Sequence, residues 1–433
     1  MRKLLLILLV LTVSSPVGAE LVGEVQKLHA SDAAAGDVFG ASVAASPDIL
    51  VVGAPGNDVV FGTLVEDMGA AYVFGLDENN EWEERARLTA IDGATPSVGS
   101  SGGLGSSVAV GGTTVFVGAP GERAVYVYTE DGSGGWPHFQ KIESPSSDPE
   151  DRFGRTVAVS GARLIVGAEE AVYFFEYIPT DKWVEVDTFA PPGPPSDFGG
   201  AVAIDGDRAV VGALVEEHLG VAVGAAHVFV WNGEKWLHEA VLREEDLGAG
   251  YEYGHSVAIS GDQLVVSASR FLLDGGASGA GKAYVYERFG GVWHSVAQLQ
   301  ALDEEFSGEF GWSVALQDGV AVITDNYYDG TALNTGRAYA FTPDGAGGWE
   351  KDFTLEASDA ALADYLGNQV TISEQVVLVG ATGDDDEGSG AGAAYVFALQ
   401  IEEDPTPVPA MGGRATLFLA AALLVFGAWR KYR

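Results

Sequence analysis

Phe39 to Pro55 reads FGASVAASPDILVVGAP. An aromatic-glycine pair opens it. An apolar strand follows, then a polar break, a second apolar strand and a Gly-Ala-Pro stop. Two short apolar runs around a turn signal read as paired strands. The same order returns as LGSSVAV from Leu104, FGRTVAV from Phe153, FGGAVAI from Phe198, YGHSVAI from Tyr253, FGWSVAL from Phe310 and LGNQVTI from Leu366, which makes seven openings. Each is followed by a second strand (VFVGAP, LIVGA, AVVGA and their counterparts) and then a third (AAYVF, AVYVY, AVYFF and their counterparts). A unit that recurs along most of a chain has to be read as a repeat architecture before any other fold is weighed.

A fourth strand follows in six copies, opened by Trp and closed by an apolar residue six positions on: Trp82/Leu88, Trp136/Ile142, Trp183/Phe189, Trp236/Leu242, Trp293/Leu299 and Trp349/Leu355. An even offset predicts both side chains on one face of the strand. The seventh copy runs from AAYVFAL straight into IEEDPTPVP and has no such strand. LVGEVQKL, near the N-terminus, supplies it, with Val22 and Leu28 six apart. The sequence therefore predicts an all-β fold, a seven-bladed β-propeller of four-stranded blades. The N-terminal strand completes the last blade, so no sheet edge stays open.

The blade resembles an FG-GAP repeat, the unit of integrin alpha-subunit heads and of many bacterial surface proteins. LHASDAAAGDVFGASVAASPDILVVGAP, then GAAYVF, then a Trp…Leu strand carry the likeness, which extends over roughly residues 22–400. It implies the propeller fold and, through the integrin likeness, an adhesive or matrix role. Fold alone does not assign function. Integrin heads hold calcium in D-x-D-x-D-G loops between strands one and two. Here that connection is a short turn (VSGAR, IDGDR, ISGDQ, LQDGV), with no room for five oxygen ligands, so those sites do not carry over. No cofactor is expected, and any calcium would have to bind in another way. Gly383 to Glu387, GDDDE, reads first as a solvated turn between strands two and three. Its second reading is a metal site through Asp384, Asp385 and Asp386.

Tight turns are expected at Asn232-Gly233, a two-residue hairpin signal of type I′, and likewise at Asp205-Gly206 and Ser160-Gly161. Glycines at the blade entrance (Gly40, Gly154, Gly254) are expected to allow close backbone approach. The six Trp residues read as packing between blades rather than as ligand contacts.

In an antiparallel blade, loops one-two and three-four share a rim, and loops two-three and four-one share the other. The second rim carries the long insertions 56–69, 214–224, 269–282, 325–337 and 382–392, and loops on a rigid scaffold are where binding residues gather. The residue after each entrance glycine varies freely: Ala41, Ser106, Arg155, Gly200, His255, Trp312 and Asn368. Arg155, His255, Trp312 and Asn368 are the candidate lining of a pocket at the channel mouth; equally, they plug the channel. Tyr327, Tyr328 and Asp329 are a candidate aromatic contact patch beside it.

The ends have another texture. Residues 1–19, MRKLLLILLVLTVSSPVGA, read as a secretory signal peptide, and the propeller as 20–401. Residues 402–411 form an acidic, proline-bearing spacer. Residues 412–433 hold an apolar run and a basic end, RKYR, read as a membrane anchor helix or a sorting signal. The chain has no cysteine, so stability has to come from packing. A net charge of −39 excludes nucleic acid as a partner. No HExxH motif appears among the residues. The expectation is a non-enzymatic, exported bacterial surface module that binds a protein or polysaccharide. A polysaccharide hydrolase or lyase on the same rim, and a passive envelope or matrix module, are the alternatives.

Overall fold

The computed structural model describes residues 19–61, 64–90, 103–178, 182–191, 196–244, 250–272, 278–279, 281–301, 308–374 and 376–401. Residues 1–18 of the expected signal peptide, the spacer and the tail lie outside the described residues.

Seven four-stranded antiparallel sheets make the body, each a blade with its strands side by side. The first blade is Ser42–Ser46, Ile49–Ala54, Ala70–Leu76 and Trp82–Leu88, and the next five repeat that order. The seventh is Leu366–Ser373, Val376–Ala381 and Ala393–Ile401, finished by Ala19–Leu28 on its outer edge. Lys27 pairs with Tyr395 and Leu28 with Ala394. Three two-stranded hairpins, Asp58–Phe61/Leu64–Asp67, Glu217–His218/Val221–Ala222 and Phe271–Leu272/Ser278–Gly279, rise from two-three connections, all on the rim that carries the insertions.

Burial explains the composition of each strand. Ile49–Ala54 is buried throughout, because both faces of a blade are covered by its neighbours, and it reads as a continuous apolar run. Trp82–Leu88 alternates buried and exposed residues, as an outer strand half in water does. Seven apolar clusters hold the ring, each shared between two neighbouring blades. The cluster that closes the circle joins Leu28, Leu378, Ala394 and Val396 to Phe39, Leu50, Tyr72 and Trp82.

The outer strand departs from the even-offset expectation. In blade one Glu84 pairs with Phe74 and Ala86 with Val73, so Arg85 is an extra residue, a β-bulge. Every other blade has a register slip at the same place. Across the bulge, Trp82 and Leu88 oppose Leu76 and Ala71, which are an odd number of residues apart. Trp and Leu therefore point to opposite faces. Trp82 packs in the interface with blade seven and Leu88 in the interface with blade two. Each outer strand thus fastens its blade to both neighbours. Trp236 stacks on Phe174 of the preceding blade at 4.6 Å, in keeping with a packing role for the tryptophans.

The turns also refine the expectation. Asn232-Gly233 lies in a four-residue loop: Trp231 pairs with Trp236, and the Asn232 side chain accepts hydrogen bonds from the Glu234 and Lys235 amides. That side-chain turn replaces the two-residue type I′ hairpin. Asp205 pairs with Arg208 and Ser160 with Arg163, leaving true two-residue loops that begin at Gly206 and Gly161. There φ is +54° and +57° at the glycine alone, the type II′ pattern.

Candidate functional site

The seven innermost strands surround a central channel, and each enters it through its glycine. These glycines have φ between +90° and +105°. A Cβ on Gly254 would lie 2.3 Å from the Ala225 carbonyl oxygen of the preceding blade. The glycine of the second strand faces the other neighbour: a Cβ on Gly53 would lie 2.1 Å from the Gly105 carbonyl oxygen of blade two. Both glycines of the repeat therefore stand where adjacent blades touch backbone to backbone. Ser42, Ser107 and Thr156 tighten the same contact, each donating a 2.8 Å hydrogen bond to the entrance glycine of the next blade.

This close-packed collar brings the variable residues together. Arg155, His255, Trp312 and Asn368 all line one cavity of about 340 Å³, and Ser106 and Gly200 are among the other residues of its wall. The Arg155 guanidinium lies 2.5 Å from Asp197 and 3.4 Å from Glu169, so its charge is answered inside the protein. Asn368 donates to the Ala41 carbonyl at 3.1 Å. The His255 ring lies 4.8 Å from that of Trp312, and its Nδ1 is buried without a protein hydrogen bond. Burial lowers the His255 pKa, opposed by a hydrogen bond to the Trp312 backbone.

Tyr327 continues the aromatic row: its ring is 6.2 Å from Trp312 and 5.3 Å from Tyr365, and it is exposed to solvent. Tyr328 and Asp329 hold their own loop instead. Tyr328 underlies the Arg337 guanidinium, and Asp329 accepts from the Asn334 amide at 2.9 Å. The residues ahead of the aromatic-glycine pairs were not singled out in the sequence. Glu252 and Glu309 occupy that place in blades five and six, and Arg270 bridges them at 2.8 and 3.7 Å. Aligning the repeats one position earlier would have exposed them. Beneath them Asp325 is buried, which pushes its carboxyl up to about 7, while the Glu309 amide and Arg337 pull the other way.

The FG-GAP repeat model matches residues 22–74, 194–229, 236–286, 293–341 and 349–397, more than half of the chain. The chain belongs to the FG-GAP repeat family. Among solved structures, one titled as a protein from Lactobacillus plantarum is similar at 13% identity, with a TM-score of 0.49, covering 75% of this chain and 86% of that one. No curated protein matches the chain. In this FG-GAP propeller the two glycines of the repeat are the contact points between blades. Where the second is replaced, by Ser267 and Thr324, the new hydroxyls bond the Ser256 and Ser313 amides at 3.0 Å. The family and the fold make this a ligand-binding or structural module.

The acidic loop has a different occupant from the one considered in the sequence. Asp384 and Asp386 converge with Asp359, and the Lys27 ammonium sits among them at 2.8, 2.6 and 2.8 Å. Burial pulls that ammonium's pKa down, but hydrogen bonds to the three aspartates more than reverse this and leave it raised. The Tyr395 hydroxyl donates to Asp359 and Asp384. Asp385 points elsewhere and caps the Gly390 amide at 2.7 Å. A divalent ion at this place would have to displace Lys27 of the closing strand.

Proposed function

We propose that this FG-GAP propeller is an exported, surface-displayed module that binds a macromolecule, protein or polysaccharide, through the rim built by its two-three and four-one loops. The asymmetry of the two rims carries this reading. All three accessory hairpins and the channel mouth with its aromatic row share one rim, and turns of a few residues cap much of the other. A row of rings ending in an exposed tyrosine suits a flat apolar face, on a sugar or a protein side chain. Export follows from the apolar N-terminal segment, and display on a bacterial surface from the apolar C-terminal run with its basic end. The proposed partner contact uses no cofactor.

A binding screen of the full-length chain against polysaccharides and bacterial surface proteins tests the proposal. Saturable binding that weakens at least tenfold in Trp312→Ala and Tyr327→Ala supports it. Turnover of a polysaccharide would move the assignment to a hydrolase or lyase. Absence of any rim-dependent binding would leave the passive structural module. Intact mass of the surface form examines the tail: a chain still ending in Arg433 is a plain anchor, and loss of the residues after the spacer is processing.

A further inference from the structure

Blade four holds a group of side chains with no counterpart among the described residues of the other blades. His227 Nδ1 and His238 Nε2 face each other at 3.0 Å. On its far side, His227 Nε2 is 2.6 Å from Glu216, and Arg243 in turn binds Glu216. The backbone explains why the two rings meet. His227 pairs across the sheet with Val241 and Phe229 with His238, with Glu239 the bulged residue between. Without the bulge, position 238 would turn to the opposite face of the blade; the extra residue returns it to the face of His227. Both rings are held from the side. His238 stacks on Phe189 at 5.4 Å, and Phe198 meets His227 edge-on at 5.2 Å. His227 is buried, whereas His238 is exposed at the edge of a cavity of about 490 Å³ that Glu217, Gly220, Pro191 and Val241 also line.

We propose that His227 Nδ1 and His238 Nε2 are the two protein ligands of a transition-metal dication of the zinc or copper kind, with its remaining positions open to the cavity. Imidazole nitrogens are the donors these ions prefer over calcium or magnesium. Two nitrogens at about 2.05 Å on a tetrahedral ion stand about 3.3 Å apart, so the rings need to separate by only a few tenths of an ångström. The one proton between the rings sits on His238 Nε2; metal binding moves it to His238 Nδ1, so the neutral ring keeps its proton while Nε2 frees a lone pair for the ion. Glu216 fixes His227 as the Nε2–H tautomer and leaves Nδ1 as the donor, the carboxylate–histidine–metal arrangement of preorganised sites, with Arg243 holding the carboxylate. Water, Glu217 or a donor from a bound partner can fill the open positions.

Titrating the full-length chain with Cu²⁺ and with Zn²⁺, and recording the electron paramagnetic resonance of the copper form, tests the site. One equivalent of tight binding is expected, with hyperfine coupling to two nitrogens. His238→Ala should weaken that binding at least tenfold, and His238→Gln, which keeps more of the packing, should do the same. Glu216→Gln should weaken it by roughly 10–100-fold. His294→Ala, on the outer strand of blade five, should leave it unchanged. Equal affinity in His238→Ala and wild type, in variants that melt normally without metal, would overturn the proposal. So would a wild-type copper spectrum with no nitrogen coupling, or no measurable binding of either ion.

Discussion

Two kinds of glycine in the same repeat carry very different loads. Gly254 has φ of +90° and no room for a Cβ, whereas Gly161 has φ of +57° and nothing within 4 Å. Gly161→Ala should cost about 1–3 kcal/mol, the strain of an alanine held at the positive φ of this turn with no clash. Gly254→Ala adds a collision with the Ala225 backbone, and should cost at least about 2 kcal/mol more in urea unfolding. Asp325 gives a pH test. Its folded pKa, about 7, lies above the ordinary carboxylate value, so below that ordinary value it is protonated whether folded or unfolded. As pH rises toward 7, only the unfolded state releases the proton, and this residue's contribution to stability falls. The melting temperature should therefore drop between pH 5 and pH 8 by an increment that Asp325→Asn removes. Glu309 and Arg337 face the same carboxyl, so the increment is the difference between variant and wild type at each pH. Entrance glycines were legible in the sequence because the repeat marks them seven times. The burial of Asp325 was not, since an Asp closing a strand reads as a polar stop until its neighbours are placed around it.

At the scale of the element, the outer strand rewards comparison between copies. Trp183 is buried and meets Phe116 of blade two edge-on at 5.1 Å. In blade two the strand begins only at His138, and Trp136 lies ahead of it, part-buried. Trp183→Ala should therefore lose roughly 3–5 kcal/mol in denaturant unfolding, and Trp136→Ala clearly less. Equal losses would mean that the wedge does not depend on the strand reaching the tryptophan. The constant spacing of Trp and its apolar partner was visible in the residues, but its meaning was not. A bulge adds a residue without adding a turn signal, and strand periodicity breaks where nothing in the composition marks it. The same device turned a histidine toward another in blade four. The channel-mouth residues were legible because they occupy one position of every repeat. Tyr328 and Asp329 were not separable from Tyr327, because their loop's own hydrogen bonds decide which of the three faces out.

Closure belongs to the whole molecule, and internal comparison makes the case for it. Gln26 of the N-terminal strand clamps the Trp82 backbone of blade one, accepting at 2.8 Å and donating at 2.7 Å. Gln140 of blade two does the same to Trp183 of blade three, at 2.8 and 3.0 Å. Lys27 lies opposite Tyr395 as Lys141 lies opposite Tyr126, each beside a carboxylate. The N-terminal strand thus repeats, side chain by side chain, the work of an outer strand inside a blade. A chelator should leave the melting temperature unchanged if Lys27 is the cation that Asp359, Asp384 and Asp386 hold, whereas Lys27→Met should lower stability by roughly 3 kcal/mol, with the buried Asp384 left without its cation. A chain that begins at Val38 removes more: the ladder to Ala393–Ile401, the burial of Leu28 and the clamp on blade one. It leaves an open edge beside an apolar face, so it should melt far lower or aggregate. Adding a peptide of residues 19–30 in excess should restore the melting temperature, because the strand is held by pairing and packing that need no covalent link. A shortened chain that melts with the full-length protein, or one that the peptide leaves unchanged, would show that the ring is held shut without its borrowed strand.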